Sequence, residues 1–355
     1  MTDNPLGEVY KMREGTRRPR TALLLTFVVL VIAALVYSRI MAYSLAPTIQ
    51  PAHLQILPLW EIPLVYIWDY LTHGWICLLF AFVAAGLVYE FMPKSLITKH
   101  MGSGKVQGYA LAAGFAPFFT VCSCTMVPLF AGILYTGAGI GPAISFLLMA
   151  PAANILTILL TGEILSWEIA VVRIIASLVT AVAAGVIISK TPWGKRIEAE
   201  HRPNLGVATS STETVKPPLD ERLTGVLKFG GFLGRRILPY FFIGLLVVSY
   251  LVAFLPEELV ATYLNGVGGV LLASVIGGPL YTPTLVEIVL GRGLMDLGMS
   301  GAAILSWLMG QPYDIPNMIA TSRIVKWKVV LTYALIAWAF SVVLGLAYGL
   351  LMSKL

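Results

Sequence analysis

The chain repeats one feature that few folds can accommodate: apolar runs long enough to cross a lipid bilayer. Residues Thr21–Ser44 read TALLLTFVVLVIAALVYSRIMAYS, 24 residues whose single charge, Arg39, stands near the end. As a helix rising ~1.5 Å per residue this run is ~36 Å long, against a hydrocarbon layer of ~30 Å. It is too long for the apolar core of a cleaved signal and reads as a retained span. Runs at Asp69–Phe91, Ile140–Thr161, Trp167–Ile188, Ile237–Leu255, Ser300–Thr321 and Val329–Met352 bring the full spans to about seven. Composition agrees, with 58% hydrophobic and 12% charged residues; an ordinary soluble domain carries roughly 25% charge. The longest polar segment, Thr191–Arg222, holds TPWGKR, RPN and KPP and reads as a flexible cytoplasmic loop. The expected fold class is all-α and polytopic, with the lipid bilayer as partner and no soluble enzyme core.

The net charge of +6 does not point to nucleic acid, because Lys and Arg cluster at the ends of apolar runs, where membrane proteins keep cytoplasmic anchors. Lys11, Arg13, Arg17, Arg18 and Arg20 precede the first span and place the N-terminus in the cytoplasm, with the protein in the cell membrane. The connection Leu45–Trp68 has no Lys or Arg and is outside; Lys94, Lys99 and Lys105 are inside, as are the nine basic residues from Lys190 to Arg236. Parity then decides the two remaining apolar stretches, Val106–Tyr135 and Gly266–Leu290. If either crossed, the following positive cluster would fall outside. As hairpins that enter and turn back, they leave 20 of the 24 positive charges inside.

The same order of span, re-entrant hairpin, span, span occupies residues 69–189 and 237–352, about 160 residues apart. Phe146–Pro151 (FLLMAP) aligns with Trp307–Pro312 (WLMGQP). The first unit starts outside and the second inside, the inverted-repeat plan of many secondary transporters, with binding near the midplane where broken helices meet. The expected division is a cytoplasmic tail (1–20), a peripheral first span (21–44), repeat 1 (69–189), a cytoplasmic loop (190–236) and repeat 2 (237–355). Backbone freed from a helix cannot face lipid, at several kcal/mol per unsatisfied group, so broken tips must line a cavity or pack in protein. The breaks are expected at Pro117, Pro128, Pro151, Gly278, Pro279, Pro283 and Pro312.

The first tip carries Cys122-Ser123-Cys124, and the only other cysteine is Cys77. On a helix residues i and i+2 diverge, whereas in a turn two thiolates converge and suit soft acceptors such as Cu(I), Zn or trivalent arsenic. Packing as small hydrophobes is the plainer alternative. With CSC and its following proline stand Gly139-Ile140-Gly141-Pro142-Ala143-Ile144-Ser145-Phe146-Leu147 and Ala150-Pro151-Ala152-Ala153-Asn154. The second half has Gly278-Pro279-Leu280-Tyr281, Gly301-Ala302-Ala303-Ile304-Leu305-Ser306 and Pro312. Together these resemble the predicted permease family that includes the ArsP efflux permeases, over about residues 65–355. The resemblance implies a permease, with export of trivalent organoarsenicals such as methylarsenite as the role assigned to some members. Pro283 and Thr284 occupy the place where another cysteine would be expected in relatives, which counts against a three-thiol arsenic site.

Substrate contacts are expected from Cys122, Ser123, Cys124, Asn154, Tyr281, Thr282 and Gln311. Glu287 and Asp314, ionisable groups in apolar segments, are expected to carry a coupling proton or to sit at an aqueous edge. Arg173 lies about two turns inside its span, within reach of the surface by snorkelling. His73 and Cys77 stand at i and i+4 but are too few for a metal site, so no metal and no cofactor is expected. Gly102-Ser103-Gly104-Lys105 lacks the upstream Gly and the following Ser or Thr of a phosphate loop and reads as a plain loop. An ion gradient is the default energy source. The competing readings are an intramembrane thiol–disulfide relay through Cys122 and Cys124, which lacks a cysteine in the second repeat, and a carrier of another small substrate such as a sulfur compound.

Overall fold

The computed structural model describes residues 57–92, 94–118, 125–201, 219–254, 265–279, 284–296 and 298–353, with residues 25, 26, 29, 30, 33 and 263. Thr21–Ser44 therefore lies almost wholly outside the described residues. The regular elements described are all helices. In the first half they are α1 Glu61–Phe91, α2 Lys94–His100, α3 Val106–Phe115, α4 Met126–Tyr135, α5 Ile140–Ala152, α6 Ile155–Leu160, α7 Trp167–Lys190 and α8 Pro192–His201. The second half holds α9 Leu219–Ala253, α10 Gly266–Gly277, α11 Thr284–Asp296, α12 Gly301–Leu308, α13 Ile315–Thr321 and α14 Trp327–Met352. Short 3-10 turns occupy Ala116–Phe118 and Gln311–Tyr313, and a π turn Thr161–Leu165 extends α6.

Among the described residues, four stretches are long and apolar enough to cross a bilayer: Ile140–Leu165, Trp167–Lys190, Asp220–Leu251 and Trp327–Met352. Polarity on α7 is turned inside out. Its Arg173, Ser177 and Thr180 are buried, while Val171, Ile175 and Leu178 are 52%, 58% and 42% exposed. Water would reverse that distribution, whereas lipid accepts it, because apolar side chains lose nothing by facing hydrocarbon. The described part is thus a multi-pass, all-helical membrane protein.

Helices α1 and α9 pair antiparallel along their length. Arg222 donates to the Glu90 carbonyl at one end (2.9 Å) and Tyr250 to that of Leu59 at the other (3.0 Å). Helices α7 and α14 also pair antiparallel, with Tyr348 donating to Glu168 at 2.8 Å. Helix α1 ends because Met92 is drawn into the extended region (φ −78°, ψ 127°) by the proline that follows it.

The segment from α3 to α4 leaves and returns at one end of the molecule, for Gly139 N–H donates to the Met101 carbonyl at 2.7 Å. In the second half Val270, early in α10, and Ala302, at the start of α12, meet around Gly345 of α14. Both returning arms finish in the same turn. Gly137 (φ 105°) and Gly298 (φ 100°) adopt the left-handed region, and the residue after each bonds back to Ile133 and Leu294 respectively.

The polar segment Thr191–Arg222, read as a flexible loop, is helical at both described ends. Helix α8 buries Ile197 and His201, and α9 begins at Leu219. Turn residues suggested a loop, but Pro192 sits at the first position of α8, where it suits a helix. Glu198 and Glu200 then anchor α8, through a bond from Ser103 and an ion pair with Lys326 (3.4 Å).

Candidate functional site

Two long apolar stretches read as spans, Ile140–Thr161 and Ser300–Thr321, are each interrupted by a few non-α residues. The interruptions are built alike. Asn154 (φ −76°, ψ 160°) caps α6, its side-chain oxygen accepting from Thr157 N–H at 2.9 Å. Asp314 (φ −67°, ψ 149°) caps α13, accepting from Asn317 N–H at 2.8 Å. Each cap satisfies an amide that the break would otherwise strand. Asn154 and Asp314 are 160 positions apart, as are Thr157 and Asn317, Thr161 and Thr321, and Arg173 and Tyr333. All eight are buried.

Arg173 reaches from α7 into the first break and is 0% exposed, so it does not snorkel. Its Nε donates to the Ala152 carbonyl (2.7 Å), one Nη to the Thr161 hydroxyl (3.0 Å) and the other to Glu287 of α11 (3.2 Å). The guanidinium thereby ties a carbonyl freed at the first-half break to a carboxylate of the second half. Gln311, in the 3-10 turn of the second break, lies beside the same carboxylate. In the second half Tyr333 occupies the place of Arg173, its hydroxyl beside Thr321. Tyr313 donates to the Ser274 carbonyl on α10 (3.0 Å) and lies 3.1 Å from the Ser341 hydroxyl. Gly278 is pressed against the Tyr313 ring, where any Cβ would collide with it. The Pro279 carbonyl accepts from Ile315 N–H at 3.4 Å, so the end of α10 touches the break itself.

Of the expected site residues the structure brings together Asn154, Gln311, Glu287 and Asp314 around two adjoining breaks, since α5 packs on the Gln311–Tyr313 turn and α11 on α6. Cys122, Ser123, Cys124, Tyr281, Thr282 and Pro283 lie outside the described residues, as do the side chains of His73 and Cys77. Pro117 sits in the 3-10 turn that ends α3, Pro151 in the last turn of α5, Pro279 just beyond α10 and Pro312 in the second break. Pro128 differs from expectation. It stands in the first turn of α4, where its missing N–H costs no helical bond, and it breaks nothing. No cluster of three or more His, Cys, Asp or Glu is found among the described residues. A cleft of about 250 Å³ opens away from the breaks, beside Lys99, Ala138 and Glu198.

A multi-pass membrane protein with paired, internally capped helix breaks is the class that fold and site define. The chain belongs to the ArsP-type predicted permease family, whose model matches residues 64–350. It is 30% identical to the UPF0718 protein MJ0584 of Methanocaldococcus jannaschii, over 80% of this chain and 94% of that one. It is 23% identical to the UPF0718 protein YraQ of Escherichia coli, over 81% of each chain. No solved structure matches.

Proposed function

We propose that the protein is a secondary permease of two inverted units that exports a soft, thiol-reactive small molecule, a trivalent organoarsenical such as methylarsenite foremost. The observation that carries this reading is the pair of buried breaks with equivalent caps 160 residues apart, joined across the halves by Arg173 and Glu287. Antiparallel pairing of α1 with α9 and of α7 with α14 supports the opposite orientation of the two units. The return of α3–α4 to its starting end supports a re-entrant hairpin, and that hairpin carries the Cys122-Ser123-Cys124 tip at bilayer depth. Lys99, Lys105, Arg236, Arg323 and Lys326 then share the cytoplasmic side with the N-terminus, linked there by the bond from Arg236 to the Arg323 carbonyl and the Lys326–Glu200 pair.

In this mechanism Cys122 and Cys124 hold the soft atom of the substrate. Ser123, Asn154, Gln311 and the second tip, Tyr281-Thr282, supply polar contacts, and the two units rock about the adjoining breaks. Glu287 and Asp314 are the acids available for coupling to a proton gradient. A thiol relay would need a partner pair, and no cysteine follows Cys124 in the sequence. Cells expressing the protein are expected to gain resistance to trivalent methylarsenical and to accumulate less of it, with both effects lost in Cys122→Ser/Cys124→Ser. Unchanged resistance and accumulation would remove this substrate class and favour another small substrate, such as a sulfur compound. Full activity in the double variant would remove the thiols.

A further inference from the structure

The two breaks perform one structural task with different chemistry. Asn154 shows that an amide suffices to cap the helix after the break, and Asn is as good a cap as Asp. Position 314 nevertheless carries a carboxylic acid, 1% exposed, where a charge is far costlier to bury than an amide. Capping does not account for the acid.

The other buried acid, Glu287, has a compensating charge in Arg173 at 3.2 Å. Among the described residues no Lys, Arg or His forms an ion pair with Asp314. Among the described residues its surroundings are neutral on each side that packs on α13. Helix α14 presents Tyr333, α9 presents Gly244 against Pro316, and the 3-10 turn ends in Tyr313. Helix α4 has no ionisable residue before Tyr135. The nearest basic groups of α9 and of the segment after α13 are engaged at the far end of α13, where Arg236 donates to the Arg323 carbonyl and the Arg323 guanidinium lies over the Tyr240 ring.

Asn317 completes the cluster. Its Nδ2 donates to the second carboxylate oxygen of Asp314 at 2.6 Å, while its own Oδ1 is buried with no hydrogen-bond partner among the described residues. Turning that amide over exchanges donor for acceptor. An ionised Asp314 is satisfied by the Asn317 N–H and Nδ2–H. A protonated Asp314 keeps the N–H bond and donates its O–H to Oδ1, which then gains the donor it lacks. The carboxyl of Asp314 therefore keeps two hydrogen bonds to Asn317 in either state, with one atom of the Asn317 amide unpaired each time. A group that gains and loses a proton in a dry interior needs its own bonds satisfied in both states.

We propose that Asp314, with Asn317 as its reversible partner, is the site that binds and releases the coupling proton, and that Arg173–Glu287 is a permanent ion pair. The assignment rests on the permease reading for its purpose, but its test uses no substrate, so the two can fail separately. Infrared difference spectra are recorded between mildly acidic and mildly alkaline pH on the full chain in lipid nanodiscs. The carboxylic C=O band expected for the wild type should persist in Glu287→Gln and vanish in Asp314→Asn, whose folding is checked by circular dichroism. Should Asp314→Asn not fold, Asp314→Glu and Asn317→Leu carry the test, each expected to move the band's frequency. A band that survives Asp314→Asn, or one unmoved in both substitutes, overturns the proposal. So does the absence of a band combined with a thermal stabilisation by sodium over choline that Asp314→Asn removes, which would make the site one for a metal cation.

Discussion

Removing Arg173 should harm the protein more than removing both members of its ion pair. Arg173→Met deletes three hydrogen bonds at once, to the Ala152 carbonyl, the Thr161 hydroxyl and Glu287. It also strands a carboxylate that is 1% exposed. Breaking a buried pair from one side typically costs about 3–5 kcal/mol, since the remaining charge is left uncompensated. Arg173→Met/Glu287→Met removes that charge too and leaves chiefly the Ala152 carbonyl unsatisfied, at about 1–3 kcal/mol. Glu287→Met alone falls between, because Arg173 keeps two acceptors. With Glu287→Met at about 3 kcal/mol, the cycle should therefore show a coupling of about 5 kcal/mol, the excess of the two single costs over the double, read from equilibrium unfolding in mixed micelles. If Arg173→Met costs under about 1 kcal/mol, or the two single costs simply add, the pair does not join the halves as described.

Three further outcomes follow from local geometry. Asn154→Ala loses the α6 cap and should cost about 1 kcal/mol in the same assay, with Asn154→Asp milder. Gly137→Ala and Gly298→Ala force a Cβ into the left-handed region and should each cost about 1–2 kcal/mol. Burial pushes His201 below the usual histidine range, against the pull of the Ile197 carbonyl and Glu200 and with Arg236 adding to the fall. Its folded pKa is thus lower than its unfolded one, so the stability it contributes is complete above the ordinary value of about 6.5 and declines as pH falls. Protection factors of the α8 amides, taken relative to intrinsic exchange at each pH, should fall on acidification, and His201→Phe, which keeps the ring against Tyr135, should flatten that response.

The membrane class was legible because lipid imposes one crude requirement, long apolar helices, that composition and run length report directly. The breaks were also legible, from Pro151 and Pro312 in apolar runs. Their register was not. Matching those two prolines sets the halves 161 positions apart, whereas the caps Asn154 and Asp314 are 160 apart, and that single residue hides the pairs Thr161/Thr321 and Arg173/Tyr333. Prolines mark where a helix fails, but the cap fixes where the next one starts. Arg173 was obscure for a different reason. A long basic side chain near a helix end can reach water as easily as a partner, and its partner Glu287 is 114 positions away, a pairing no local pattern reveals. Helix α8 escaped notice because Thr-Pro and Gly read as turn residues, although Pro suits a first helical position.

The central claim, a permease whose paired thiols hold a soft substrate, is tested most directly by uptake of trivalent methylarsenical into inside-out vesicles under an imposed pH gradient. Gradient-dependent accumulation with the wild type, lost in Cys122→Ser/Cys124→Ser, is the predicted result. Uptake equal to that of vesicles lacking the protein, in the presence or absence of the gradient, would contradict it.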